Sequence, residues 1–211
     1  MTTFNINNGL YLSVTPHGAY AAVQNNTADI TRDVIYKLLQ KKETPALNND
    51  TLAEIFSESQ QDDALDLLHK MQELGLLSGQ KESEQFESAK LEEMLPITLA
   101  ALSDTKKALL AESSGLYLGT SGFPHEAAEE LAAVSASLSE VSKKHSGLLQ
   151  GNLRFKQHAW GLIDAAGNSE VGFWPLYIGD NQLTLIIHGL PQFNSPEYKR
   201  LIWALVRRYG A

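Results

Sequence analysis

The feature that most constrains the fold of this chain is a long helical pattern over residues 124–144. Its apolar side chains recur at intervals of three and four residues, which is the spacing of one face of an α-helix. A second stripe, displaced by one residue, holds only alanine and serine. The apolar stripe is Ala127, Leu131, Val134, Leu138 and Val141, and the small-residue stripe is Ala128, Ala132, Ser135, Ser139 and Ser142. We expect the apolar stripe to pack on a sheet and the small-residue stripe to face outwards.

Strand patterns lie on both sides of this helix. Short apolar runs around Ser113-Ser114-Gly115 predict a hairpin before it, and three further runs separated by turn sequences predict strands after it. A helix precedes the hairpin, and Pro96 should either kink it or move its start. Ser195-Pro196 provides an N-cap and a first helical residue for a final helix. The predicted strands are 107–112, 116–120, 148–163, 170–178 and 183–188. The predicted order of helices and strands in the second half of the chain is therefore αββαβββα.

The first half has a different pattern. Apolar runs at 9–14 and 19–23 flank Pro16-His17-Gly18, which predicts an N-terminal hairpin. Three short helical patterns follow, and Gly75 is a C-cap candidate for the third. Their order, with a turn into a wing after residue 74, resembles a winged-helix module over residues 28–85. The polar, Ser- and Glu-rich stretch 78–89 places the domain boundary, so we expect a domain at 1–85 and a second at 86–211.

The charge of the chain is concentrated in the first half. Residues 1–88 hold six Lys and Arg against thirteen Asp and Glu, whereas residues 89–211 hold eleven against twelve. Nucleic acid is disfavoured as a partner because binding to phosphates depends on Lys and Arg. The third helical pattern, 62–74, would enter the DNA groove of a winged helix, yet it carries four acids and one lysine. A DNA-binding regulator that dimerises through its second half stays the rival hypothesis.

No sequence motif for catalysis or metal binding is present. The chain has no cysteine, and its six histidines are scattered without a His-Glu-x-x-His pair. It lacks a phosphate-binding Gly-x-x-x-x-Gly-Lys-Ser/Thr loop, and Gly119-Thr-Ser-Gly-Phe123 lacks the second glycine of a nucleophile elbow. We therefore expect no enzyme, cofactor or metal, with an enzyme of unrecognised type as a third option. No apolar run approaches the roughly 20 residues that span a bilayer, and no secretory signal is evident, so a cytoplasmic protein without membrane contact is expected.

The residues of the second half carry a family resemblance. The stretch Ala-Leu-Leu-Ala-Glu-Ser-Ser-Gly-Leu-Tyr-Leu-Gly-Thr-Ser-Gly at 108–122, followed by Glu-Ala-Ala-Glu-Glu-Leu-Ala-Ala-Val-Ser-Ala-Ser-Leu at 126–138, resembles the Roadblock family, which includes dynein light chain Roadblock and related prokaryotic GTPase regulators. The resemblance covers about residues 90–211. It implies an α+β domain whose central antiparallel sheet is flanked by helices. It also implies pairing of two copies through the middle helix and a neighbouring strand edge, and a small GTPase as partner.

This resemblance assigns roles to particular residues. In a homodimer the small-residue stripe would let a second backbone approach closely, together with Leu116 and Leu118 of the neighbouring strand; in a monomer the stripe would simply face water. Partner contact is expected on the last helix from residues off its apolar stripe, namely Arg200, Trp203, Arg207 and Arg208. The aromatic residues of the predicted strands, Trp160, Phe173 and Trp174, are expected either at an interface or in the core. The expected function is a non-catalytic dimeric scaffold that binds a Ras-like small GTPase or another signalling partner.

Overall fold

The computed structural model describes residues 6–7, 9–57, 60, 63–86, 90–155 and 158–210. Asp62 of the third helical pattern and residues 87–89 of the predicted boundary lie outside these ranges. In chain order the strands and helices are β1 (Tyr11–Val14), α1 (Pro16–Val23), α2 (Ile30–Gln40), α3 (Asn49–Ile55), α4 (Ala64–Glu73), β2 (Leu77–Gln80), α5 (Leu91–Ala101), β3 (Ala108–Glu112), β4 (Tyr117–Ser121), α6 (His125–Lys144), a π-helical segment (Gly147–Asn152), β5 (Trp160–Ile163), β6 (Ser169–Ile178), β7 (Asn181–His188) and α7 (Pro196–Tyr209).

The second half contains a five-stranded antiparallel sheet with helices on both faces. Its strand order is β4-β3-β7-β6-β5. One face packs against α5 and α7 in the larger apolar cluster, and the other packs against α6 in a smaller cluster. Ser195 caps α7 by accepting a hydrogen bond from the Tyr198 amide at 3.2 Å, and Pro196 is the first residue of the helix. The predicted α+β class and the order αββαβββα are confirmed.

The strand predicted over 148–163 is shorter than its apolar pattern suggested. Of the described residues in this stretch, Trp160–Ile163 form a strand, whereas Gly147–Asn152 is a π-helical segment. The amides of Leu148 and Leu149 both donate to the His145 carbonyl, at 3.0 Å each, so the chain keeps coiling after α6 ends. Continued coiling satisfies those amides locally, which removes them from any sheet.

The predicted N-terminal hairpin is wrong. β1 is followed by α1, and β1 pairs with β2, which lies more than sixty residues further along the chain. Thr15 starts the helix, since its hydroxyl accepts a hydrogen bond from the Gly18 amide at 3.0 Å, and Pro16 suits the first helical turn. Gly18 also lets α1 lie against the chain before β2, because a Cβ there would fall 2.1 Å from the Leu76 carbonyl oxygen.

The three helices predicted in the first half are present as α2, α3 and α4, and β2 follows them. β2 is paired with β1 over four residue pairs, from Tyr11 with Gln80 to Val14 with Leu77. The winged-helix assignment of this arrangement stays a prediction.

The two halves of the chain pack on each other. One continuous apolar cluster contains buried side chains from both, from Leu12 in β1 to Val206 in α7. Against this cluster, Tyr20 of α1 stacks on Phe193 with ring centroids 5.7 Å apart, and Phe193 lies 5.0 Å from the ring of the buried Tyr198. Polar contacts add to this packing: Lys199 of α7, 8% exposed, forms an ion pair with Glu84. The division into domains at residue 85 stays a prediction.

Candidate docking surface

The small-residue stripe of α6 faces the protein's own sheet. Ala128 and Ala132 are 0% exposed and Ser135 is 1% exposed. The two alanines share the smaller apolar cluster with four sheet residues, which are Leu109, Ala111, Phe173 and Ile186. The prediction that this stripe faces outwards is therefore wrong. Side chains without bulk let the helix lie close to the sheet, so the stripe is used within the chain instead of between chains.

Ser139 and Ser142 complete this internal contact through hydrogen bonds. The Ser139 hydroxyl oxygen accepts from the Gln182 side-chain amide of β7 at 3.1 Å. The Ser142 oxygen accepts from the indole N–H of Trp160 in β5 at 2.6 Å. Both bonds tie the C-terminal half of α6 to the sheet.

The apolar stripe, in contrast, is turned towards solvent. We call Ala127, Leu131, Val134, Leu138 and Val141 the outer stripe. Val134 is 46% exposed and Val141 is 41% exposed. Leu131 and Leu138 are half-buried and pack against the margin of the smaller cluster. The helix therefore exposes two valines, Val134 and Val141, along one line and leaves Leu131 and Leu138 half-buried.

β5 is an edge strand that also carries exposed apolar side chains. Its residues Trp160 and Leu162 pair with Phe173 and Val171, which both pack in the cluster beneath α6. Trp160 and Leu162 therefore point to the α6 face of the sheet. Leu162 is 61% exposed. Among the described residues, β5 has β6 as its one strand partner, so its outer backbone edge is unpaired there.

The outer stripe lies on the side of α6 that is nearer to β5. Leu138 of the outer stripe lines the same small cleft as Trp160 of β5, and it packs in the same cluster as Val171 of β6. The opposite flank of the helix meets the turn between β3 and β4, where a Cβ on Gly115 would lie 3.6 Å from the Ala136 Cβ. We call the outer stripe together with the β5 edge the α6–β5 face.

The turn at the end of β5 is held by a carboxylate. Asp164 accepts hydrogen bonds from the backbone and side-chain nitrogens of Asn168, at 2.9 and 3.0 Å. These hydrogen bonds lower the pKa of the Asp164 carboxyl, and the bond from the Asn168 side chain has the largest effect. The turn thus keeps the edge strand aligned with β6.

Leu116 and Leu118, which the sequence placed in the dimer interface, are not part of the α6–β5 face. They belong to the β3–β4 hairpin, and β4 is at the edge of the sheet opposite to β5. Leu116 is 68% exposed, whereas Leu118 packs partly against the larger cluster on the other face. The structure does not bring either residue to the α6–β5 face.

The residues predicted on α7 are divided between the surface and the interior. Trp203 is 4% exposed, so its predicted exposure is wrong. Its indole N–H donates to the Lys41 carbonyl at 2.9 Å, and Arg207 donates to the Gln40 carbonyl at 3.0 Å. These carbonyls belong to the end of α2, where a helix leaves acceptors without partners. Two of the predicted side chains therefore join the halves of the chain.

Arg200 and Arg208 do reach the surface. Arg208 forms an exposed ion pair with Glu92 of α5 at 2.8 Å. Arg200 lines an open groove of about 410 Å³, in which Ile97 of α5 is 78% exposed. Of the three strand aromatics, Phe173 is buried, Trp174 packs edge-on against Phe193, and Trp160 alone is exposed.

Within the described ranges, no cluster of three or more His, Cys, Asp or Glu side chains is placed to hold a metal ion. Over the same residues, none of the helices combines the length and the apolar character that crossing a membrane requires.

The chain was compared with protein-family models, curated proteins and solved structures. No protein-family model matches the chain, and no curated protein matches it. Among solved structures, the chain is similar to the crystal structure of a Roadblock/LC7 domain from Streptomyces avermitilis. That similarity has a TM-score of 0.40 at 15% sequence identity, and it covers 57% of this chain and 98% of the other.

Proposed function

We propose that this protein is a non-catalytic docking platform of the Roadblock type, and that it works as a homodimer. The observation that carries the proposal is the α6–β5 face, where exposed apolar side chains lie beside a strand edge that has no partner among the residues that the structure describes. Edges of this kind invite pairing with another chain, and clustered apolar surface favours association. The sequence resemblance to Roadblock proteins, which pair through the corresponding helix and a neighbouring strand edge, supports pairing through α6. In this proposal the β5 edge takes the place of the strand that carries Leu116 and Leu118, which lies at the opposite edge of the sheet.

Pairing through this face would be symmetric. If β5 of one copy lies beside β5 of another, two five-stranded sheets become one, and the two α6 helices meet across the axis. Val134 and Leu162 would then leave water, and burying a large apolar side chain completely contributes about 1.5–3 kcal/mol. The interface so proposed replaces the small-residue stripe, which is occupied by the protein's own sheet.

The partner is proposed from the family resemblance. We propose a Ras-like small GTPase or a related signalling protein, with the acidic, winged-helix-like first half as a second docking surface. The non-catalytic part of the proposal rests on the sequence, which lacks a His-Glu-x-x-His pair, a Gly-x-x-x-x-Gly-Lys-Ser/Thr loop and a nucleophile elbow. The rival, a DNA-binding regulator, predicts retention of duplex DNA by the full chain at about 0.15 M salt.

Sedimentation equilibrium tests the dimer. At tens of micromolar, we expect a mass twice the 23.2 kDa of one chain. Val134→Asp places a charge in the interface and should give monomers, and Leu162→Lys should weaken the dimer. Ala133→Asp, at an exposed position outside the outer stripe of α6, is the control and should stay dimeric. A wild-type monomer, or a Val134→Asp dimer as tight as wild type, would overturn the proposed interface.

The GTPase part has a separate test. Small GTPases from the source organism, loaded with GDP or with a non-hydrolysable GTP analogue, would be titrated against the immobilised full chain. Saturable binding of at least one nucleotide state is the expected result. Absence of binding across the set would remove the GTPase while leaving the dimer untouched.

A further inference from the structure

A cleft with a polar lining is formed by residues from both halves of the chain. It has a volume of about 820 Å³, and small-molecule sites usually have roughly 300–1,000 Å³. Its lining includes residues of the loop before α2, of α2, of the end of α6 and of the turn between β6 and β7. Among the described lining residues there is no Ala, Val, Leu, Ile or Met. A ligand that fills this opening, which we call the polar cleft, is therefore hydrophilic.

Arg32 of α2 is a fixed positive charge in the lining. Its Nε donates to the Ala22 carbonyl at 2.9 Å, and its Nη2 is 3.4 Å from both the Tyr36 hydroxyl and the Tyr177 carbonyl. These contacts use three of the five N–H donors of the guanidinium. Within the described part of the chain, the two Nη1 donors have no partner and Arg32 forms no ion pair. The side chain is thus held in place with donors and charge to spare.

Two serines of α6 add hydroxyl donors. The Ser139 oxygen accepts from the Gln182 side-chain amide at 3.1 Å, and the Ser142 oxygen accepts from the Trp160 indole at 2.6 Å. A serine hydroxyl that accepts a hydrogen bond still has its own hydrogen to donate. Neither hydrogen has an acceptor among the residues that the structure describes. Along α6, the cleft therefore offers donors whose oxygens are already occupied.

Strand pairing brings Arg32 and Ser139 to the same cleft. Tyr177 of β6 and Gln182 of β7 lie directly opposite one another in the sheet. Arg32 is hydrogen-bonded to the Tyr177 carbonyl and Ser139 to the Gln182 side chain, so each is attached to one member of this pair. Lys143 follows Ser139 by four residues, which is one turn further along the same side of α6. The donors from α2 and α6 therefore line one opening.

The polar cleft is positively charged in an acidic protein. Lys143 is exposed and forms no ion pair with any described residue. Asp180, in the turn between β6 and β7, is the one carboxylate among the described lining residues. With His158 counted as neutral, the two cations Arg32 and Lys143 outnumber it, although the whole chain has a net charge of −8.

We infer that the polar cleft binds a small organic phosphate whose carbon skeleton is a polyol, as in a sugar phosphate. A phosphate group has negative charge and three strong acceptor oxygens, which match the unused donors of Arg32, Ser139 and Ser142 and the ammonium of Lys143. Asp180 repels a phosphate but accepts hydrogen bonds from hydroxyl groups. It therefore favours a polyol ester over inorganic phosphate.

The lining favours a sugar phosphate over a nucleotide. A nucleobase is a flat ring that binds by stacking on aromatic side chains. The rings of the described lining are those of His158 and Tyr177, which meet edge to face with centroids 6.2 Å apart. They do not form a slot with parallel walls for a base.

Isothermal titration calorimetry on the full chain tests the inference. Hexose, pentose and triose phosphates would be compared with the parent sugars, inorganic phosphate and AMP. We expect at least one sugar phosphate to bind with a Kd below about 1 mM, its parent sugar not to bind, and inorganic phosphate to bind at least about tenfold more weakly. The affinity should fall as salt rises from about 0.05 M to about 0.3 M.

Variants of the lining test the assigned roles. Lys143→Gln should lower the affinity at least about threefold, and Arg32→Gln at least about tenfold. Arg32→Gln also loses contacts to Ala22 and Tyr177, so its melting temperature is measured alongside; Lys143→Gln has no described contact to lose. Asp180→Asn should raise the affinity for inorganic phosphate and reduce the preference for the sugar phosphate, because it removes the repulsion.

Matched controls separate the polar cleft from general effects. Lys144→Gln removes the same charge at the adjacent exposed residue, which is not among the described lining residues, and should bind within about twofold of wild type. None of the described lining residues belongs to the outer stripe or to β5, so the inference goes beyond the proposed function. Val134→Asp should keep ligand binding even as a monomer, which distinguishes failure of the dimer from failure of the cleft.

Several results would overturn the inference. They are the absence of saturable binding by every sugar phosphate, binding that Lys143→Gln and Arg32→Gln leave unchanged, and a loss in Lys144→Gln as large as in Lys143→Gln. Tighter binding of AMP or of inorganic phosphate than of every sugar phosphate would refute the polyol assignment.

Discussion

Replacing Ala132 with leucine tests which face of α6 packs on the sheet. Ala132 is 0% exposed in the cluster with Leu109 and Phe173, whereas its neighbour Ala133 is exposed. Leucine at 132 forces extra carbons into a packed interface, and overpacking typically costs about 1–3 kcal/mol. The same substitution at Ala133 extends into solvent, where changes usually stay within about 0.5 kcal/mol.

The expected difference is large enough to measure by calorimetry. For a chain of this size, 1 kcal/mol shifts the melting temperature by about 2–4 °C, so Ala132→Leu should lower it by about 2–12 °C. Ala133→Leu should melt within about 2 °C of wild type. Scans at several protein concentrations would separate unfolding from dissociation, because association makes the melting temperature depend on concentration.

One outcome would refute the assigned orientation of α6. If Ala132→Leu melted with wild type while Ala133→Leu lost stability, the helix would have to be rotated by about 100°, the angle of one residue. The outer stripe would then lie about 200° from the sheet-facing line of the helix and point away from the sheet, so it would no longer lie on the β5 side and the α6–β5 face would not exist as described.

Three further predictions concern polar contacts. Glu84→Gln leaves the buried ammonium of Lys199 without its counter-charge and should lower the free energy of unfolding, measured in urea, by about 1–3 kcal/mol. Adding Lys199→Met should recover part of this stability. A double variant that is no more stable than Glu84→Gln would contradict this account. Ser195→Ala should cost about 0.5–2 kcal/mol by the same measurement, whereas Ser195→Asp should keep the cap of α7. Folding lowers the pKa of Asp164, so its carboxylate stabilises the folded state at pH values above the ordinary aspartate pKa, which is about 4. This stabilisation is lost as the pH falls through the lowered pKa. Hydrogen exchange should therefore show the Asn168 amide losing protection on acidification in wild type, and no such pH dependence in Asp164→Asn.

The order of elements in the second half was predictable because its signals are local. Glycine-containing turns separate the strands, Ser195-Pro196 starts α7, and the helical spacing after Pro124 continues without a break to Lys144. Each of these signals depends on residues a few positions apart, so no knowledge of the fold is required.

Short apolar runs were less informative. Residues 19–23 suit a strand as well as a helix by pattern alone. They are helical because Thr15 caps α1, and because β1 finds its partner in β2, at the far end of the first half. That pairing depends on residues distant in sequence, which no local pattern encodes.

The candidate site depended most on tertiary structure. The sequence by itself determined that α6 has two stripes, one apolar and one of small residues, and that aromatic and basic residues lie on α7. Only the folded chain decided that the small stripe lies on the sheet, since close approach of helix and sheet needs side chains without bulk. It also decided that Trp203 is buried, because α2 from the first half of the chain supplies the carbonyl that Trp203 binds. Periodicity along a helix shows that two faces differ; which face is covered depends on the shape of the surface that meets it.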